Sequence, residues 1–138
     1  MGQFHSWNSI KKSKDFSYNR KSFIVKVVDI YDGDTGRMVF RDNLRLNQYK
    51  FRLYGIDTPE IRPLLSLKNR EQEIKKAKKA KKFLSDLVLN KVIYVKCLEF
   101  DKYGRILVNL YKNRWNKKSI NDLMIDEGLG KVYFGGTK

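Results

Sequence analysis

A small β-barrel carrying two helices, an all-β core within an α+β chain, is the fold the sequence predicts, and three observations predict it. The 138 residues suffice for one compact core and not two. From residue 23 onward, short apolar stretches with strand-like alternation are separated by turn residues. Between the third and fourth of these stretches the apolar period lengthens to three or four residues, which is helical spacing.

Taken in order, residues 23–30 form the first strand and residues 36–41 the second, after the Asp32-Gly33 turn. Residues 48–56 form the third, after a polar link over 43–47, so the three make a meander. Residues 66–90, beyond Pro63, read as a helix because Ile74, Ala77, Ala80 or Lys81, Leu84, and Leu87 or Val88 recur on one face. The opposite face is nearly all lysine; residues 75–82 read as a solvated surface that could also meet nucleic acid. Two more strands follow at 92–99 and 105–111, joined through Asp101-Lys-Tyr-Gly104. Ser119-Ile-Asn-Asp122 has the pattern of a helix cap with an acidic third position, and Gly128 would close that short helix. Five strands with a helix between the third and fourth is the order of an OB-type, five-stranded Greek-key barrel. The domain is expected over 22–138, with 1–21 a flexible basic arm whose Phe4, Trp7, Phe16 and Tyr18 follow no period.

Charge bounds the partner. Lysine and arginine number 30 against 15 aspartates and glutamates, a net charge of +15, which points to a polyanion: nucleic acid first, an anionic membrane surface second. The lone Cys97 shares a strand face with Ile93 and Val95 and reads as a small core residue. With one cysteine and one histidine, His5, neither a disulfide framework nor a zinc or Cys/His site is expected. No apolar signal segment precedes Arg20, so an intracellular protein is expected, and no apolar run is long enough to span a bilayer. The opening Met1-Gly-Gln-Phe-His-Ser6 fits an N-myristoylation pattern at Gly2, with Lys11, Lys12 and Lys14 behind it as a second membrane signal. Trp115, in Tyr111-Lys-Asn-Arg-Trp115, is expected to be partly buried against the barrel.

Against this basic background, acids collect at turns. Phe51-Arg-Leu-Tyr-Gly-Ile-Asp-Thr-Pro-Glu60 sets a guanidinium and two carboxylates on a strand end and the turn leaving it. Asp32-Gly-Asp-Thr35 lies upstream, and Asp101-Lys-Tyr-Gly-Arg105 lies downstream. Each motif alone is an ordinary turn sequence. Such clustered charges are costly unless they neutralise one another or hold a cation, and together they supply what phosphodiester hydrolysis needs. Asp34, Asp57 and the Thr58 carbonyl are hard oxygen donors that suit Ca²⁺ or Mg²⁺.

Taken together, over residues 23–134, these segments resemble the staphylococcal nuclease (thermonuclease) family, whose signature is the same three motifs in the same order. The resemblance implies an OB fold and a Ca²⁺-dependent, sugar-nonspecific nuclease that cleaves DNA and RNA to leave 3′-phosphates. It implies Asp34, Asp57 and Thr58 as metal ligands, and Glu60 as the residue that deprotonates or positions the attacking water. Arg52 and Arg105 would hold the scissile phosphate, and Asp32 would stand beside the metal without binding it. Lys102 and Tyr103 would contact the nucleotide at the rim, with Tyr133 and Phe134 near the family's nucleotide-facing tyrosines. Family members usually continue beyond the strand-like Lys131-Val-Tyr-Phe134 into another helix; this sequence stops at Lys138, and exposed apolar surface with monomeric or weakly self-associating behaviour is expected. The rival expectation is a non-catalytic nucleic-acid-binding barrel, as in the nuclease-like repeats joined to Tudor domains.

Overall fold

A computed structural model describes residues 21–42 and 45–135. The basic arm and its acylation pattern at Gly2 lie outside the described residues. The chain runs β1 (Ser22–Ile30), β2 (Thr35–Asp42), β3 (Arg45–Leu53), β4 (Ile56–Asp57), α1 (Arg70–Val88), β5 (Val92–Phe100), β6 (Ile106–Tyr111), α2 (Ile120–Asp126) and β7 (Lys131–Val132).

Strands β1, β2, β3, β6 and β5 close into a barrel in that order. All of its pairings are antiparallel except β3 with β6, where Phe51, Arg52 and Leu53 lie opposite Ile106, Leu107 and Val108. This is the five-stranded barrel that the strand order predicts, and its one parallel pairing makes it mixed. Alternation fills it: Val25 and Val27 from β1, Phe51 and Leu53 from β3, Val95 and Cys97 from β5, and Ile106, Val108 and Leu110 from β6 are buried. Between Val27 and Asp29 the β1 register shifts, and Ile30 still reaches the core. Helix α1 lays Ala77, Ala80, Leu84 and Val88 against the barrel, the apolar stripe its spacing promised. Helix α2 buries Ile120 and Met124 and is capped as expected, with the Ser119 side chain accepting a hydrogen bond from the Asp122 amide and Gly128 at φ 71°.

Three local expectations are corrected. Helix α1 starts at Arg70 and not at 66, because Leu64 to Arg70 is wound as successive turns, Leu67 N–H to Leu64 O and Arg70 N–H to Leu67 O. Strand β3 begins at Arg45, since the β2–β3 ladder continues to the Asp42–Arg45 pair through what reads as a polar link. It also ends at Leu53: Tyr54 and Gly55 turn the chain, Gly55 at φ 79°, into the separate strand β4. Trp115 is 80% exposed, carrying Arg114 over its ring instead of packing on the barrel. Cys97 is buried as expected, and burial pushes its thiol pKa up to about 12.

Candidate active site

Three turns at one rim of the barrel carry the charged residues. In the β1–β2 turn, Asp32 Oδ1 accepts from the Asp34 amide at 3.1 Å and from Thr35 Oγ1 at 2.6 Å, which folds the turn around it. Gly33 is required by close approach: a Cβ there would stand 2.7 Å from Ala80 Cβ and 2.9 Å from Thr58 Oγ1. The turn is thereby pressed between α1 and the segment leaving β4.

Asp34 joins the first turn to the second. Its carbonyl accepts from the Leu53 amide at 2.8 Å. Its buried carboxylate accepts, through Oδ2, from the Thr58 amide at 3.1 Å and from Arg52 Nη1 at 3.4 Å. Burial raises the Asp34 pKa to about 7, helped by the hydrogen bond and negative charge of Asp32 and opposed by Arg52 and the Thr58 amide. Arg52 stands on β3 one residue out of phase with the inward-facing Phe51 and Leu53, so alternation sends it to the rim. Its Nη2 donates to the Ile56 carbonyl at 3.4 Å and pairs with Asp57 Oδ1 at 3.6 Å. One half-buried guanidinium thus spans carboxylates from two turns.

In the third turn Asp101 acts as the organiser. Its Oδ1 accepts from the amides of Tyr103 at 2.8 Å and Arg105 at 3.0 Å, while Oδ2 accepts from Arg105 Nε at 2.6 Å. Gly104 at φ 81° lets the chain double back beneath it. Tyr103, 71% exposed, has Lys102 Nζ 5.3 Å and Arg105 Cζ 5.4 Å from its ring centroid.

Strand β7 supplies the far wall. It pairs with β4, Asp57 opposite Lys131, and the Tyr133 amide donates to the Gly55 carbonyl at 3.0 Å. Arg52 Cζ lies 5.8 Å from the Tyr133 ring centroid, and Phe134 meets Tyr54 at 5.3 Å between centroids.

One pocket of about 590 Å³ is lined by Asp34, Arg52, Asp57, Thr58, Glu60 and Arg105, with Asp32, Lys102, Tyr103, Tyr133 and Phe134 on its walls. These eleven are the candidate catalytic, metal-binding and substrate-binding residues of the sequence, and the structure brings them to one pocket. Glu60 is exposed at the mouth, whereas Asp34 and Thr58 are buried at the base. Sequence reasoning assigned no role to Tyr54 or Asp101. Asp101 opens the Asp101-Lys-Tyr-Gly-Arg105 motif, and its spacing of four to Arg105 was the available signal. Tyr54 carried none beyond being an aromatic beside a glycine.

Among the described residues no three His, Cys, Asp or Glu side chains form a metal cluster. The donor set nonetheless fits a hard cation that keeps part of its water shell: two carboxylates from different turns and a neighbouring carbonyl, all oxygen. Thr58 Oγ1, beside these donors, is buried without a hydrogen-bond partner.

An OB-type barrel with three charged turns converging on one rim pocket is the class that fold and site define. The staphylococcal nuclease homologue family model matches residues 50–138, and the chain belongs to that family. It is 27% identical over 96% of its length to the "Uncharacterized protein MJ1439" of Methanocaldococcus jannaschii, covering 70% of that relative. It is 32% identical to an "Uncharacterized endonuclease" of Haemophilus influenzae, over 83% of this chain and 55% of the relative. With the "Probable endonuclease LCL3" of Uncinocarpus reesii the identity is 25%, over 88% of this chain and 47% of the relative. The chain thus spans about half the length of the relatives named as endonucleases.

Proposed function

We propose that the chain is a divalent-cation-dependent nuclease that hydrolyses phosphodiesters in DNA and RNA without sugar specificity, leaving 3′-phosphates. The observation that carries this reading is the convergence of Asp34, Asp57, Glu60, Arg52 and Arg105 on one open pocket. Family membership and the endonuclease names of its relatives support it.

In this reading each residue has a task. Asp34, Asp57 and the Thr58 carbonyl would hold Ca²⁺, with Mg²⁺ the alternative, and the bound cation would neutralise charge growing on the phosphate oxygens. Arg105 is gripped at Nε by Asp101, which leaves its terminal amines to a non-bridging oxygen in a fixed plane. Arg52 approaches the same phosphate from the base, held in place by contacts of 3.4–3.6 Å that a phosphate can outcompete. Glu60, a carboxylate at the mouth, orients the attacking water or takes its proton. Tyr103 and Phe134 offer exposed rings to unpaired bases, so single-stranded or frayed substrates suit the rim best. Among the described residues nothing in the rim is shaped to read base edges, and sequence preference should be weak.

A second reading is a non-catalytic nucleic-acid-binding barrel. The observation favouring it is that Arg52 and Arg105 are both already paired with carboxylates of the chain. Plasmid and single-stranded DNA incubated with Ca²⁺, with Mg²⁺ or with chelator decide between the two. The nuclease reading expects cleavage only with a cation, and a Glu60→Gln fall of about 10² to 10⁴ in rate. Strand binding with no cation-dependent cleavage would establish the second reading, and undiminished cleavage by Glu60→Gln would remove Glu60 from the chemistry.

A further inference from the structure

Directly after Glu60 the chain forms a feature that hydrolysis does not use. Leu64 and Leu65 are 76% and 86% exposed, and Leu67 is 40% exposed. These leucines do not belong to a loose loop free to fold inward. Pro63 is buried at its base and its carbonyl accepts from Arg70 Nε at 3.5 Å, while the turns from Leu64 to Leu67 and from Leu67 to Arg70 wind the segment onto the start of α1. The leucines are held outward as an ordered tip.

The surroundings of the tip are cationic. Arg62 and Lys68 flank it, both exposed, and α1 continues with exposed Lys75, Lys76, Lys78, Lys79 and Lys82. Residues 61–82 hold nine lysines and arginines against only Glu71 and Glu73. A short apolar protrusion backed by a cationic surface complements an anionic bilayer, where leucines enter the acyl boundary while the cations stay among the headgroups. A nucleic acid strand would draw on the cations but gain little from aliphatic tips, since unpaired bases stack on aromatic rings. Such rings already stand elsewhere on the rim, at Tyr54, Tyr103 and Phe134.

We infer that the Leu64–Leu65–Leu67 tip and the lysine face of α1 form a docking surface for anionic phospholipid membranes. The inference is independent of the nuclease reading and of any acyl group at Gly2. It places the pocket beside the bilayer, because the tip leaves the site through Glu60 and Pro63.

The experiment uses the full, unacylated chain with phosphatidylcholine vesicles, with and without phosphatidylserine. Co-sedimentation is expected only with phosphatidylserine, weakening with salt. Leu64→Ser combined with Leu65→Ser should lower partitioning by at least about tenfold, with circular dichroism and plasmid cleavage unchanged. A Leu65→Cys variant labelled with an environment-sensitive dye should shift its emission to the blue on anionic vesicles; Cys97 is buried and would not compete for the label. Binding to neither vesicle, or equal binding by the serine variant, would overturn the proposal. So would serine variants that instead disperse a dimer in sedimentation, or lose affinity for a single-stranded oligonucleotide, because the tip would then serve another surface.

Discussion

Asp34 carries the strongest electrostatic tension in the pocket, and the tension has a sign that can be measured. Its ordinary pKa of 3.8 rises to about 7 in the folded chain because the carboxylate is buried and faces Asp32. A carboxyl with a raised folded-state pKa holds its proton more tightly when folded than when unfolded. The stability linked to that proton is present in full below pH 3.8 and is lost as pH rises through about 7. Thermal melts in chelator should therefore show the wild type losing stability between pH 5 and pH 8, by on the order of a few kcal/mol. Asp34→Asn should lack that fall, while keeping an oxygen for the Thr58 amide and losing cation-dependent cleavage. Arg105 makes a different point: Arg105→Lys preserves charge but cannot pair with Asp101 at Nε and hold a phosphate at the same time. Its turnover on single-stranded DNA should drop by about tenfold or more with a smaller change in KM.

The elements are fastened to one another by a residue the sequence did not advertise. Asn121 is buried on α2; its Oδ1 accepts from the Leu110 amide at 3.1 Å, and its Nδ2 donates to the carbonyls of Tyr54 at 2.8 Å and Val108 at 2.9 Å. It ties α2, β6 and the turn behind Arg52 together. Asn121→Ala should strand these buried backbone groups and cost about 2–4 kcal/mol in urea unfolding. In the sequence Asn121 is only a polar residue inside a helix cap. Strands β1, β5 and β6 were legible because period-two burial and bounding turns agree, and α1 because Ala77, Ala80, Leu84 and Val88 repeat at helical spacing. The start of α1 was not legible, because Leu64 to Asn69 contains apolar residues wound as turns and exposed to water. Nor was the end of β3, where Gly55 breaks what reads as one strand into two. The pocket was legible from its turns, but the distances joining Asp34 to Thr58 and to Arg52 are tertiary facts.

The whole molecule is a strong cation, and its association should show it. With a net charge of +15, binding to a single-stranded oligonucleotide should fall by about tenfold or more between 50 and 200 mM salt, as anisotropy titrations would record. A slope near zero would mean that the basic surface does not meet the strand. The barrel itself closes through the parallel pairing of Phe51, Arg52 and Leu53 with Ile106, Leu107 and Val108, partners more than fifty residues apart in sequence. During synthesis on the ribosome, β3 must wait with one edge unpaired until those later residues emerge. Arg52 therefore gains its lasting setting, and Arg105 its place in the same pocket, only after residues 106–108 have emerged, so a nascent chain that ends before them cannot contain the finished pocket.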